Sequence, residues 1–310
     1  MSAKHVTISG ATGLVGSALV ARLRERGDRV TVLSRSASSA RQRLGDDVEV
    51  HEWDPSSDAP PVEALRGRDA LVNLAGAPVF RRWTDAAKEE LRRSRIATTE
   101  HLVSALAALP DPERPRTLVS GSASGIYGDR GEARLDEGSM VATGQGDFLA
   151  DLAGDWEAAA EGARGLGVRV VALRTGLVLA ATGGALAVMA KPFRLGLGGW
   201  LGNGRQLVPW IHLDDEVGLL LAALDHDELD GPLNASAPHP VTNKAFSKAV
   251  GRALRRPVLA PAPAPVLRLA LGEQAQLVLD SCGMVPARAE ALGYRFAHPE
   301  IDGALQDLLR

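Results

Sequence analysis

The chain has 310 residues, 45% of them hydrophobic, with a formal net charge of -3 and one cysteine. That length supports one large domain or two ordinary ones around a well-buried core, while the mixed charge gives no basic footprint for nucleic acid. The lone Cys282 excludes an intrachain disulfide and fits a reducing cytoplasm.

The longest uncharged runs, His5 to Ala21 and Thr175 to Ala190, fall short of the roughly 18 to 20 apolar residues of a spanning helix, so no membrane span or membrane partner is expected. The N-terminus enters a strand after Lys4 and His5 without the apolar core of a secretory signal. A small molecule is the expected partner, a homodimer is the assembly left open, and no metal centre is read from the sequence.

Val6 to Ile8 reads as a strand, Gly10, Gly13 and Gly16 as a turn, and Ser17 onward as a helix stopped by Gly27. Such a turn aims bare backbone N–H groups and the positive end of a helix dipole at one point, which suits a phosphate. Gly10 serves the sharp turn, Gly13 the approach of a pyrophosphate and Gly16 the packing of helix on sheet. A second strand, Arg29 to Leu33, follows and ends in Ser34 and Arg35 instead of the acid that holds a ribose 2′-hydroxyl in NAD sites. A hydroxyl and a guanidinium suit a 2′-phosphate, so the expected cofactor is NADP(H).

Val48 to Asp54 alternates as a strand, Pro55 to Pro61 is a loop, and Asp69 to Asn73 is a buried strand ending in a small-residue turn. Thr84 to Leu109 reads as one long helix capped by Thr84 and stopped by Pro110. Arg116 to Ser122 is the next strand, Asp147 to Arg164 a helix with Trp156 in the core, and Val168 to Arg174 another strand. This alternation predicts an α/β fold with a Rossmann-like, doubly wound parallel sheet. From Gly176 the chain turns to glycine-rich loops through Gly183, Gly184 and Gly196 to Gly204. Trp210 to Glu216 then opens a helix to about Leu224, Pro232 to Ser236 is strand-like, prolines cluster from Pro257 to Pro265, and Leu267 to Leu279 and Glu300 to Leu309 carry helical spacing.

The glycine turn, Asn73 to Gly76, the Ser120 to Ser122 strand end and Trp210 to Asp215 resemble the extended short-chain dehydrogenase/reductases of the nucleotide-sugar-epimerase-like branch. More narrowly, Arg82 to Thr84, Ser94 to Ile96, Pro192 to Gly199, Pro209 to His212 and Asn234 to Asn243 resemble the atypical SulA/YfcH-like epimerase-family proteins. The resemblance implies an NADP-binding epimerase/dehydratase domain over 1–240, with 176–205 contributing to a substrate lobe, and a C-terminal domain of unknown function over 241–310. It implies that Gly10, Thr12, Gly13, Leu14 and Val15 cradle the pyrophosphate, Ser34 and Arg35 meet the 2′-phosphate, Asp54 the adenine, and Leu74, Ala75 and Gly76 the adenosine ribose side. Ser120 and Arg174 complete the expected cofactor set, and Ser122 takes the slot of a catalytic Ser or Thr.

The usual Tyr-x-x-x-Lys pair is absent. Four residues after Tyr127 stands Gly131, four after Tyr294 stands His298, and aligning Trp156 and Glu157 with the glutamate that trails the motif puts Leu149 and Ala153 in the catalytic positions. Ser122 is then expected to orient a carbonyl. Tyr127 is either the proton donor or an aromatic lid, Arg81, Arg82 and Arg95 are candidates for an anionic substrate, and His212, which titrates near neutrality, is a candidate acid or substrate-side residue, or else a structural contact or helix start. A cleft is expected between the sheet and the C-terminal lobe, with the Gly196 to Gly204 loop at its mouth. Two functions stand at this point: an oxidoreductase or epimerase with a nonstandard acid, and a regulatory protein that binds NADP(H) without turnover.

Overall fold

The computed structural model describes residues 3–310. The first apolar run forms β1 (His5–Ser9), buried throughout, and the glycine turn leads into α1 (Leu14–Glu25), which Gly27 stops at φ +85. β2 (Arg29–Ser34), α2 (Ala37–Leu44), β3 (Glu49–Glu52) and β4 (Ala70–Asn73) complete the first half of a sheet. Next come α3 (Asp85–Arg93), α4 (Ile96–Ala107), β5 (Thr117–Ala123), β6 (Arg134–Leu135), α5 (Phe148–Glu161), β7 (Arg169–Thr175) and β8 (Leu177–Leu179). The rest is α6 (Gly184–Arg194), β9 (Leu207–Val208), β10 (Trp210–His212), α7 (Leu213–Asp225), β11 (Gly231–Ala235), β12 (Val241–Thr242), α8 (Asn243–Leu254), α9 (Ala264–Leu271), α10 (Gln276–Leu279), β13 (Gly283–Met284), α11 (Ala287–Ala291) and α12 (Ile301–Leu309).

Seven strands make one parallel sheet in the order β11-β7-β5-β4-β1-β2-β3. Strand order reverses between β1 and β4, so the crevice at their carboxyl ends is where this architecture binds ligands. The expected α/β doubly wound fold is therefore the observed one. One apolar layer joins α1 and α7 to the sheet through Leu19, Leu23, Leu219 and Leu220, and a second joins α4 and α5 through Leu102, Leu106 and Ala160. A third core, around Leu186, Phe193, Trp210, Phe246, Val250 and Leu305, mixes residues of the 176–212 stretch with the C-terminal part of the chain. Among the described residues no helix is long and apolar enough to cross a membrane.

The structure departs from the sequence reading in three elements. The single helix expected from Thr84 to Leu109 is two, because Ser94 and Arg95 leave the helical register to fasten the loop after β4. Ser94 Oγ accepts from the Ala77 N–H at 3.0 Å, and Arg95 donates to the Ala77 carbonyl at 3.0 Å. The glycine-rich stretch contains α6, entered through Gly183 and Gly184 at φ +75 and +63. The helical spacing from Leu267 to Leu279 is interrupted by Gly272 at φ +59, which ends α9.

Candidate functional site

The glycine turn is forced by contact. A Cβ on Gly10 would stand 2.6 Å from the Leu74 backbone, and one on Gly16 would stand 2.3 Å from the Gly10 carbonyl oxygen. Gly13 caps α1 with no side-chain hydrogen bond and no acid in the first turn, so the helix N-terminus keeps free donors and its positive end. These groups open on a cavity of about 560 Å³ at the carboxyl ends of the strands. Its wall carries Leu74 and Gly76 after β4, Ser122 to Gly125 from β5, Thr175 and Gly176 from β7, and Leu149, Ala153 and Trp156 from α5. Leu201 from the glycine-rich loop and Gln276 to Val278 from the C-terminal lobe close the far side, so the loop and Gly13 face one cleft.

A second, polar pocket of about 450 Å³ lies beside the turn and is lined by Thr12, Ser34, Arg35, Ser36, Ser39, Gln42 and Arg43. Ser36 caps α2, and Glu52 Oε1 accepts from the Ala37 N–H at 2.9 Å. Arg35 and Arg43 are exposed. Two free guanidiniums among serine hydroxyls match a phosphate monoester.

Ser122 belongs to a chain of contacts on the α5 face of the sheet. Its Oγ donates to Glu157 Oε1 at 2.6 Å, and Arg174 donates to both Glu157 oxygens at 2.8 and 2.9 Å. Arg174 also donates to the Tyr127 hydroxyl at 2.9 Å, which in turn donates to Asn234 Oδ1 at 2.7 Å. Burial lowers the Arg174 pKa, but the Glu157 contacts more than reverse this and hold it above its usual range. Burial likewise lifts the Tyr127 phenol above its ordinary value.

Several expected site residues are accordingly placed elsewhere. Tyr127 is fully buried and lines neither pocket, its hydroxyl taken by Arg174 and Asn234. Arg174 is paired with Glu157 and lines neither pocket. Ser120 is buried with its Oγ on the neighbouring Gly121 carbonyl, and the Ala75 N–H is turned to Asn73 Oδ1. Asp54 Oδ1 accepts from the Ser56 N–H and hydroxyl, which hold the carboxyl below its usual pKa in a turn outside both pockets. Arg82 is exposed outside the cavity, and Arg81 pairs with Glu90 at 2.7 Å.

His212 caps α7, its Nδ1 accepting from the Asp214 N–H at 3.1 Å. That leaves the ring proton on Nε2, which lies 3.3 Å from Asp307 Oδ2 without hydrogen-bond alignment, while the ring stacks on His298 at 3.7 Å. Burial and His298 lower its pKa, so it is a neutral side chain that caps α7 and lines neither pocket.

Gly10, Gly13, Leu14, Val15, Leu74, Gly76, Ser122 and Arg95 are brought to the main cavity, and Thr12, Ser34 and Arg35 to the polar pocket. The Arg95 guanidinium lies over the Trp156 ring and donates only to carbonyls and Ser94, with no carboxylate beside it. Burial lowers its pKa to about 10, which still leaves a cation in the wall.

Three acids of the cavity escaped the sequence reading. Asp147, the α5 cap, lines the cavity. Asp280 is pushed up to about 6 by burial, aided by Asp129 and Asp147. Glu216 was visible only as one of three acids opening a helix; it is buried, its Oε1 accepts from Thr175 Oγ1 at 2.8 Å, and burial pushes it up to about 8. The Cys282 thiol, also on the wall, is pushed up by burial to about 12 and is inert at neutral pH.

A glycine turn at the switch point of a doubly wound sheet, with a cleft closed by a second lobe, defines a two-lobed dinucleotide-fold protein. Residues 6–235 match the model of the NAD dependent epimerase/dehydratase family, and residues 262–308 match a domain of unknown function, DUF1731. The chain belongs to that epimerase/dehydratase family.

An epimerase family protein of Mycobacterium leprae is 41% identical over 302 residues, covering 97% of this chain and 94% of the relative. The crystal structure of human epimerase family protein SDR39U1 with NADPH superposes at a TM-score of 0.87 with 35% identity, covering 98% of this chain and 99% of that one. MoeE5 in complex with UDP-glucuronic acid and NAD, at 22% identity and a TM-score of 0.76 over 97% of this chain and 96% of that one, shares the fold.

Proposed function

We propose that the chain is an NADP(H)-dependent oxidoreductase of the epimerase family, acting on a small molecule held between α5 and the C-terminal lobe. The observation that carries the cofactor is the polar pocket, where Arg35 and Arg43 stand free among serines beside the glycine turn; the NADPH in the human relative supports it. The residues fit the group, since the uncapped N-terminus of α1, with no acid in its first turn, leaves backbone N–H donors for a pyrophosphate. Bound there, the nicotinamide would supply or accept a hydride.

The chain's own residues set the rest of the chemistry. Leu149 and Ala153 form an apolar wall where the family resemblance expects the proton donor and its lysine, so no titratable group stands at those positions. Ser122 donates its hydroxyl hydrogen bond to Glu157 and is left to accept one from a ligand. Arg95 offers charge to an anionic group of the substrate. Asp280, with a pKa near 6 on the substrate side, is the wall residue suited to exchange a proton near neutrality. A cytoplasmic setting is supported by the single free thiol of Cys282.

A second reading, binding of NADP(H) without turnover, is favoured by the same apolar wall and by the withdrawal of Tyr127 into the core. Fluorescence titration separates the cofactors: NADPH is expected to bind at least tenfold tighter than NADH, and equal affinity overturns the assignment. A carbonyl-compound screen following NADPH absorbance then decides between turnover and binding alone.

A further inference from the structure

Arg174 and Thr175 end β7 with side chains on opposite faces of the sheet. Arg174 meets Glu157 of α5; Thr175 meets Glu216 in the first turn of α7. Glu216 is buried and lines the main cavity, yet its Oε2 has no hydrogen-bond partner. A buried carboxyl without a cation beside it resists ionisation, and its pKa near 8 leaves it mainly a neutral acid at pH 7, with Oε1 held by Thr175 and an unused O–H on Oε2. An unpaired buried donor is costly, and a ligand that brings the matching acceptor relieves the cost.

Position selects the ligand atoms. The polar pocket of Arg35 lies on the β2 side of the switch point and β7 on the other, so Thr175 and Glu216 stand by the nicotinamide half of a dinucleotide laid across the crevice. Ser122, Leu149 and Ala153 approach from the α5 layer, where a substrate would lie, whereas Glu216 comes from the α7 layer. Apart from its reacting carbon, what a nicotinamide ring presents there is a carboxamide, whose oxygen accepts and whose nitrogen donates.

We propose that Glu216 holds the nicotinamide carboxamide, donating from Oε2 to the carboxamide oxygen while Thr175 fixes Oε1. The inference rests on the NADP(H) reading. Thr175 does not titrate, Tyr294 is held well above its usual range by burial and the acids Asp215, Asp214 and Glu216, and Asp215 is engaged by the Ala297 and His298 N–H groups at 2.7 and 2.9 Å.

The test compares NADPH with 2′-phospho-ADP-ribose, which keeps the phosphates and lacks the nicotinamide, by calorimetric titration of the wild type, Glu216→Gln and Glu216→Leu. The range runs from about pH 7 to about pH 9.5, above the phosphate's own ionisation near 6. Glu216→Leu is expected to weaken NADPH about tenfold at pH 7 and to leave 2′-phospho-ADP-ribose within about twofold. The wild type is expected to lose NADPH affinity above the Glu216 pKa, up to about tenfold per pH unit. Glu216→Gln, neutral throughout, keeps the pH 7 affinity and shows no such fall. Equal weakening of both ligands by Glu216→Leu, or unchanged NADPH binding, overturns the proposal while leaving the NADP(H) reading standing. If neither ligand binds the wild type, that reading fails and this one falls with it.

Discussion

Two acids reached from consecutive residues of β7 have opposite surroundings. Glu157 accepts a two-pronged ion pair from Arg174 and a hydroxyl from Ser122, so its lone pairs are used and the network runs on through Tyr127 to Asn234. Glu216 lines the cavity with one hydroxyl contact and a buried Oε2 that has no partner. Arginine turns the first carboxyl into structure; its absence leaves the second poised for a ligand. The α5 side, where the family resemblance expects chemistry, is saturated, and the α7 side is not.

The largest expected effect lies on the saturated side. Arg174→Ala leaves Glu157 and the Tyr127 hydroxyl without their cation and should cost about 3 to 5 kcal/mol of stability, read by denaturant titration. A loss below about 1 kcal/mol would mean that the Glu157 pair is as open as Glu216.

Glu216 should act in the other direction. Its folded pKa, near 8, lies above the ordinary 4.5, so the native state binds the proton more tightly than the unfolded chain. Its contribution is fully present below about pH 4.5 and is lost as pH rises through about 8. Unliganded Glu216→Gln should therefore gain on the wild type by on the order of a few kcal/mol across that window, with a flatter stability profile. Parallel profiles would show that the carboxyl is not buried neutral.

Arg35→Ala should weaken NADPH by about 1.5 to 3 kcal/mol, tenfold or more, and NADH hardly at all. Equal losses for both cofactors would move the 2′-phosphate away from the polar pocket. The smallest effect is expected at Tyr127→Phe, about 1 to 2 kcal/mol of stability from the unpaired Arg174 and Asn234 partners, with NADPH affinity unchanged. A loss of binding there would reopen Tyr127 as a cavity residue.

Most of the adenosine half, Asp54 and Ala75 excepted, was readable because local rules decide it: glycines in one turn, a strand ending in Ser34 and Arg35, a helix behind. The other half depends on pairings far apart in the chain. Tyr127 looked like a loop aromatic, and its burial is set by Arg174 and Asn234, 47 and 107 residues away. Glu216 follows Asp214 and Asp215 in a helix start, where acids are ordinary partners of the dipole, and nothing local tells which of the three turns inward. The break at Ser94 and Arg95 was hidden for the same reason, since their partner is Ala77, on a loop before the helix.

The most direct measurement is a crystal structure of the NADPH complex. The nicotinamide carboxamide is expected within hydrogen-bond distance of Glu216 Oε2, with Ser122 still donating to Glu157 and the 2′-phosphate against Arg35. A ring seated with Glu216 Oε2 unpartnered, or a carboxamide turned to the α5 side, would contradict the division of the cavity into a saturated face and an open one.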